Sequence, residues 1–598
     1  MNLNISNLIE SYKNKTLTPT QLVEDILKRS EEFSDHNIWI HQLSMQELKP
    51  YLDNLETKNI DDLPLYGVPF AIKDNINLAG IPTTAACPAF EHTPEQSAFV
   101  VQQLINAGAI PMGKTNLDQF ATGLVGTRSP EPWGACKNSF NKEYISGGSS
   151  AGSSVSVALG LVSFSLGTDT AGSGRVPASF NNLVGLKPSI GLLSMTGVLP
   201  ACRSLDCVSI FALTTDDANK VLEQAAVYDI NDQYARPVPF DNNIRQYGLP
   251  NQSFTFAVPK ADQLDFFGND SAQALFEESV LKMQSIGGIK QEVDFSIFLD
   301  AAILLYEGPW IAERYAAIEE MITKQPEALL PVINTIIGSG KDKTASDAFK
   351  AEYQMQTYRA KAKQLLSEFD FLMTPTAGTI YTIDQVNAEP IKMNSNMGYY
   401  TNYMNLLDCA CVAVPAGFLD NGLPWGISLV STAMKDRKLL SYANKWQQFN
   451  NINPGNLPAP LVPTAVGDIS FSESIPVIVC GAHLEGLALN WQLTERGATL
   501  QEKTKSAKAY RMFVIEGQQE RPGMIRDDKA GNVIDIEIWQ VPKAEFGSFV
   551  AGIPQPLGIG KVETGDGRWL PGFICEGFAV EGAREIGQLG GWRQYLSS

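Results

Sequence analysis

Between residues 145 and 200 the chain is extremely rich in glycine and serine, yet it stays apolar between them. Val155, Val157, Leu159, Leu161, Val162, Phe164 and Leu166 have no place in a Gly/Ser linker, which is a solvated, flexible coil. A stretch of this kind predicts tight backbone turns packed inside a core, where glycine permits close approach of main chain.

The flanking sequence fits a layered fold around such a core. Thr18-Pro19-Thr20-Gln21 is a capping box with proline at the first helical position, and Leu22, Val23, Ile26 and Leu27 make one apolar face. Apolar runs at Gly67 to Ile72 and Ile110 to Gly113 alternate with helical patterns such as Phe99 to Ile105. This alternation predicts an α/β fold with a largely buried sheet. Helical patterns dominate from 270 to 370, clearest at Leu304 to Ile322 and Ala348 to Leu366. Residues 450–472 hold four prolines and no periodicity, which reads as an interdomain linker. Strand patterns follow at Ile475 to Val479, Arg511 to Ile515 and Val533 to Val541, with turn signals such as Thr564-Gly-Asp-Gly567. The expected organisation is a domain at 1–449, a linker at 450–472 and a mostly β domain at 473–598.

The net charge of −19 argues against nucleic acid or an anionic membrane as partner, though one buried arginine can still receive a small anion. The smoothest apolar stretch, Val155 to Leu166, is far short of the ~20 residues of a spanning helix. The N-terminus shows no signal-peptide pattern. Eight cysteines, none in a CxxC, read as reduced thiols of a cytoplasmic protein. Cys409-Ala-Cys411 reads as core packing rather than a metal site, and no metal or cofactor is expected.

Histidine usage narrows the chemistry. The four histidines are His36, His41, His92 and His483, so none lies between residues 93 and 482. Gly148-Ser-Ser150-Ala-Gly152 matches the GxSxG nucleophile elbow, but that elbow needs a histidine base, and His483 is across the linker. Gly108 to Thr115 matches the P-loop expression GxxxxGK[ST], but a helix-like stretch precedes it and Ile110-Pro111-Met112 looks like a buried strand entrance. Ser139-Phe-Asn-Lys142 matches S-x-x-K within loop-like flanks.

Two Gly/Ser loops remain: Gly147-Gly-Ser149-Ser150-Ala-Gly-Ser153 and Thr168-Asp-Thr-Ala-Gly172-Ser173-Gly-Arg175. Lys73 ends the strand-like run before them. A serine hydroxyl attacks only when a neighbour takes its proton. Without histidine the base must be a carboxylate or a neutral lysine, and burial can lower a lysine from its usual value of about 10.4. Spacing alone leaves open a purely structural role for these loops, with Lys73 on the surface.

GVPFAIKDNIN (67–77), GKTNLDQFATG (113–123), GGSSAGS (147–153) and TDTAGSGRVPASFNNLVGLKP (168–188), in this order, resemble the amidase signature family. The similarity spans roughly residues 1–445 and implies a mixed β-sheet flanked by helices. It implies Lys73 as base, Ser149 as a bridging serine behind a cis peptide bond, and Ser173 as nucleophile. The amides of Thr170, Ala171, Gly172 and Ser173 would line the oxyanion hole. Ala171 departs from the glycine many members carry, but its amide still donates.

Leu304-Leu-Tyr306-Glu-Gly-Pro-Trp-Ile-Ala-Glu-Arg314-Tyr315 is similar to the subgroup that hydrolyses allophanate, where this tyrosine and arginine hold the substrate carboxylate. Gly123 resembles a substrate-lining glycine of that subgroup, and Arg175 is a further candidate for the carboxylate. Residues 479–490 and 572–577 resemble the subgroup's C-terminal domain, itself similar to γ-glutamyl cyclotransferase-like barrels. There the histidine, here His483, is proposed to help decompose the first product.

The resemblance implies cleavage of the terminal amide of allophanate to ammonia and N-carboxycarbamate, which loses carbon dioxide. It also implies a homodimer and a functional pairing with a urea carboxylase. The alternatives are a family amidase for another small amide and a P-loop nucleotide binder.

Overall fold

The Thr18 hydroxyl accepts from the Gln21 amide while the Gln21 side chain accepts from the Thr18 amide, and the helix Pro19–Glu32 starts there as the capping box predicts. Leu22, Val23 and Ile26 are its buried face. The computed structural model describes residues 2–239, 242–243, 246–248, 253–457, 474–517 and 520–598. The chain divides into two units. The first comprises 1–238 with 249–466, and the second 239–248 with 467–598. No sequence pattern signals that the loop 239–248 clusters with the C-terminal unit.

The first unit is built on an eleven-stranded mixed sheet. Its strands are β1 (Trp39–Gln42), β2 (Pro69–Lys73), β3 (Ile110–Thr115), β4 (Phe164–Asp169), β5 (Val184–Lys187), β6 (Cys207–Ala212), β7 (Phe254–Pro259), β8 (Gly288–Val293), β9 (Phe371–Pro375), β10 (Cys409–Phe418) and β11 (Pro424–Thr432). They lie in the order β1-β3-β2-β4-β6-β5-β10-β11-β9-β7-β8. β2 runs parallel to both β3 and β4, whereas β6, β5, β10 and β11 continue antiparallel.

The Gly/Ser segment sits at the centre. It folds into the helix Ala151–Ala158, β4, the short helix Val176–Phe180 and β5, and residues 145–189 are buried without exception. Cys409 and Cys411 are buried on β10.

The helical region departs from its pattern in one respect. The apolar periodicity from Leu304 to Ile322 is cut into three helices, Ser296–Glu307, Trp310–Ala317 and Glu319–Lys324. Gly308 and Pro309 make the first break, because proline cannot continue the preceding helix. Asn451 closes the helix Asp436–Asn450 in a left-handed conformation. The expected linker begins by returning to the first unit: the Gly455 amide donates to Asn182 O at 2.7 Å, and Asn456 Nδ2 to Ser139 O at 2.8 Å. Residues 458–472 of that linker lie outside the described residues.

The C-terminal unit is β-rich. Its strands are β12 (Ser474–Val479), β13 (Thr499–Lys505), β14 (Tyr510–Ile515), β15 (Arg521–Arg526), β16 (Asp535–Pro542), β17 (Leu557–Glu563), β18 (Trp569–Cys575) and β19 (Arg584–Glu585). A five-stranded sheet, β13-β16-β12-β18-β17, and a three-stranded one, β15-β14-β19, share a core that includes Val477, Met512, Ile538 and Phe573. No described helix is long and apolar enough to cross a membrane.

Candidate active site

β2 ends on Lys73, between β3 and β4, where the side chain is 0% exposed. Its Nζ lies 2.8 Å from Ser149 Oγ and 2.7 Å from Thr168 Oγ1 at the end of β4. No carboxylate stands within ion-pair distance of it among the described residues. Burial therefore dominates and brings the ammonium down to about 7, against the more distant negative fields of Asp118, Asp206 and Asp169.

Ser149 follows a cis peptide bond from Gly148. A side chain at Gly148 would fall 2.2 Å from Asp118 Oδ2 and 2.5 Å from the Gly126 amide, so only glycine lets the turn approach this closely. From the turn, Ser149 Oγ reaches Ser173 Oγ at 3.0 Å. Lys73, Ser149 and Ser173 thus form one hydrogen-bonded row, and Ser173 Oγ also lies 3.4 Å from the Gly123 carbonyl.

The loop after β4 is knotted around Asp169. Its carboxylate accepts from the Gly172 amide at 3.0 Å, the Gly174 amide at 2.8 Å, Arg175 Nε at 2.9 Å and Arg175 Nη2 at 2.8 Å. Burial pushes this carboxyl up, but the guanidinium and the loop amides outweigh it and hold it below its ordinary value. Two expectations are corrected here. Arg175 is not available for a substrate carboxylate, because its other donors go to Thr401 O, Met404 Sδ and Asn405 Oδ1. Gly172 is not a free oxyanion donor, because its amide is committed to Asp169. Among the described residues, the amides of Thr170, Ala171 and Ser173 have no side-chain acceptor of this kind.

Arg314 and Tyr306 do meet. The break at Gly308-Pro309 turns the second helix so that the Arg314 guanidinium lies over the Tyr306 ring, 5.6 Å from its centroid. Arg314 is 2% exposed, its Nε has no acceptor, and no carboxylate pairs with it among the described residues. Its Nη1 lies 3.4 Å from Thr122 Oγ1, one residue before Gly123. The row and the arginine therefore flank one loop.

Several residues of the site escape sequence reasoning. Asp206 accepts from the Thr170 hydroxyl and from the amides of Ala201 and Cys202, and burial raises it to about 6. Asp118 accepts from the Gly126 and Arg128 amides and is also pushed up by burial. Arg128 is buried beside Gly123. Asp118 and Asp169 stand inside the quoted motifs, but only the fold shows what they hold.

The competing motifs dissolve. Lys114 of the P-loop match is buried in β3 and pairs with Asp74 at 2.8 Å, so no phosphate-cradling loop exists there. Ser139 bonds Asn181, whereas Lys142 pairs with Asp35 at the surface. His483 lies in the C-terminal unit, lining a cavity of about 190 Å³ with Gln492, Arg521 and Phe573. Its ring stacks on Phe573 at 4.9 Å, its Nε2 lies 2.9 Å from Gln492 Oε1, and burial lowers its pKa.

The amidase family model matches residues 21–440, a span that holds the buried lysine, the paired serines and the Gly/Ser loops. The chain belongs to the amidase family. A second model, the allophanate hydrolase C-terminal domain, matches residues 475–597. The chain is 44% identical to the urea amidolyase of Saccharomyces cerevisiae and 41% identical to that of Lachancea kluyveri, over 99% and 96% of its own length. It spans about a third of those relatives, 33% and 32% respectively. Among solved structures, it is similar to Kluyveromyces lactis allophanate hydrolase with 39% identity and a TM-score of 0.76, over 99% of each chain. The K. lactis urea amidolyase superposes equally well, with 39% identity and a TM-score of 0.76, over 99% of this chain and 36% of that one.

Proposed function

We propose that this chain hydrolyses the terminal amide of allophanate. The observation that carries the reading is the pairing of the Lys73–Ser149–Ser173 row with a buried arginine, Arg314, that has no carboxylate of its own among the described residues. Neutral Lys73 draws a proton through Ser149 from Ser173, which attacks the terminal amide carbon. The oxyanion meets the amides of Thr170, Ala171 and Ser173. The proton returns along the row to the leaving nitrogen and ammonia departs. Water, deprotonated by the same row, cleaves the acyl-serine and releases N-carboxycarbamate. Arg314 and Tyr306 hold the carboxylate end, and Gly123 lines the wall beside Ser173. A guanidinium fork suits a small planar anion.

A second step is assigned to the C-terminal unit on the geometry around His483. Gln492 Oε1 accepts from Nε2–H and leaves Nδ1 as a base, in a cavity that also holds Arg521. There N-carboxycarbamate would take up a proton and lose one carbon dioxide to give carbamate, which in turn takes up a proton and breaks down to the second carbon dioxide and the second ammonia. The urea amidolyase relatives support a functional pairing with a urea carboxylase, the reaction that makes allophanate, and the active form is proposed to be a homodimer. Ammonia release from allophanate, measured beside malonamate, biuret and a simple aliphatic amide, tests the assignment. Equal turnover of the aliphatic amide would sink it in favour of a general amidase.

A further inference from the structure

Thr122 sits between two buried guanidiniums. Its carbonyl accepts from Arg128 Nη1 at 3.0 Å, while Arg128 Nη2 reaches Pro390 O at 2.8 Å. Its hydroxyl donates to the Phe120 carbonyl at 3.1 Å and accepts from Arg314 Nη1 at 3.4 Å. A hydroxyl has one proton to give, so the bond to Phe120 turns its lone pairs toward Arg314. Among the described residues this is the one hydrogen bond the Arg314 guanidinium makes, and its Nε is left buried without an acceptor.

We propose that Thr122 is a positioning residue that sets the pocket's preference for carboxylates by fixing the orientation of Arg314. This rests on the reading of Arg314 as the carboxylate anchor. Tyr306 packs against the face of the guanidinium and supplies no directed acceptor within its plane. The Thr122 hydroxyl at Nη1 supplies one and sets the direction in which the remaining donors point as a fork. Fork recognition of a carboxylate depends on this orientation far more than attraction by a mobile charge does.

The main chain of the loop is held independently. Arg128 binds the Thr122 carbonyl, the Arg128 amide binds Asp118, and the Leu124 amide donates to Asn394 Oδ1 at 2.7 Å. Removing the hydroxyl therefore frees Arg314 while the Gly123 carbonyl keeps its place beside Ser173.

The test compares malonamate with its neutral diamide, malonamide, as competitors of allophanate in the full-length chain. Parent, Thr122→Val, Thr122→Ala, Thr122→Ser and Arg314→Lys are measured together. In Thr122→Val and Thr122→Ala the preference for malonamate should fall about tenfold, the size of one hydrogen bond to a charged group. The KM for allophanate should rise by more than kcat falls. Thr122→Ser keeps the hydroxyl and should retain the preference to within about twofold. Having both Val and Ala variants leaves one readable if the other does not fold. Parental preference in the variants without the hydroxyl, or an equal loss in Thr122→Ser, overturns the proposal. An unchanged preference in Arg314→Lys would instead remove the carboxylate-anchor reading beneath it.

Discussion

Lys73 and Lys114 lie on adjacent parallel strands, both wholly buried, and their surroundings are opposite. Lys114 meets the Asp74 carboxylate at 2.8 Å and the Thr83 hydroxyl at 2.7 Å, an arrangement that leaves the charge matched and the group inert. Lys73 meets two hydroxyls and no carboxylate. The same contrast recurs in the arginines. Arg175 spends its donors on the protein, and Arg314 holds them back. Burial alone does not mark a working group here. What marks it is burial with valence left over.

The largest expected effect separates the lysines by what each variant loses. Lys73→Met should lower ammonia release by at least about a thousandfold, and Ser173→Ala should match it, since groups acting as a unit are not additive. A Lys73→Met/Ser173→Ala double variant much slower than either single one would show that Lys73 works elsewhere. Lys114→Met should instead strand the Asp74 charge in the core, costing about 3 to 5 kcal/mol and lowering the melting temperature by roughly 3 to 5 °C. A Lys114 variant of parental stability would break the contrast.

pH sharpens the same comparison. The folded Lys73 sits at about 7 against an ordinary 10.5, so if it is the base, as proposed, it is protonated and idle below that point, and kcat/KM should rise with pH through about 7. The stability consequence has the opposite look to that of a salt bridge. Folding sheds a proton between about 7 and 10.5, so this group's penalty is complete below 7 and fades as pH rises to 10.5. It is on the order of 4 to 5 kcal/mol. Thermal melts should show Lys73→Met gaining most over the parent near pH 6 and least near pH 10. A constant difference across that range would mean Lys73 is charged in the fold.

For the arginines the effects are smaller. Arg314→Lys keeps the charge and loses the fork, so the KM for allophanate should rise roughly tenfold or more with a lesser change in kcat. Arg175→Lys should show instead as lost stability of the 169–175 loop, measured as a lower melting temperature. The smallest effect on the first amide is expected from His483→Ala, which should leave the first ammonia unchanged and slow carbon dioxide release. Identical carbon dioxide kinetics would leave the C-terminal unit without the second step.

Much of this was legible before any coordinates. The capping box at Thr18, the buried Gly/Ser segment and the absence of histidine near the serines come from local rules, and local rules survive folding. The motifs placed Lys73, Ser149 and Ser173 in order. The fate of Arg175 was not legible, because it depends on Thr401, Met404 and Asn405, more than two hundred residues away. The committed amide of Gly172 was hidden for a similar reason: a side-chain acceptor three residues earlier has no periodic signature. Arg128 carries no pattern at all, and the 113–123 motif that contains Thr122 gives no sign of its contact with Arg314. The three-way division of the 304–322 helix was half visible, at Gly308-Pro309, and half not, at Ile318.

The knot at Asp169 makes the site report on the completeness of the chain. Arg175 meets Asp169 from within the loop, but its remaining donors are taken only when the 401–405 segment has come into place. A chain still emerging from the ribosome, with residue 300 just made, already carries Lys73, Ser149, Ser173 and Asp169, yet it lacks those later acceptors. The last contacts of the Ser173 loop therefore close only after two thirds of the chain has been made.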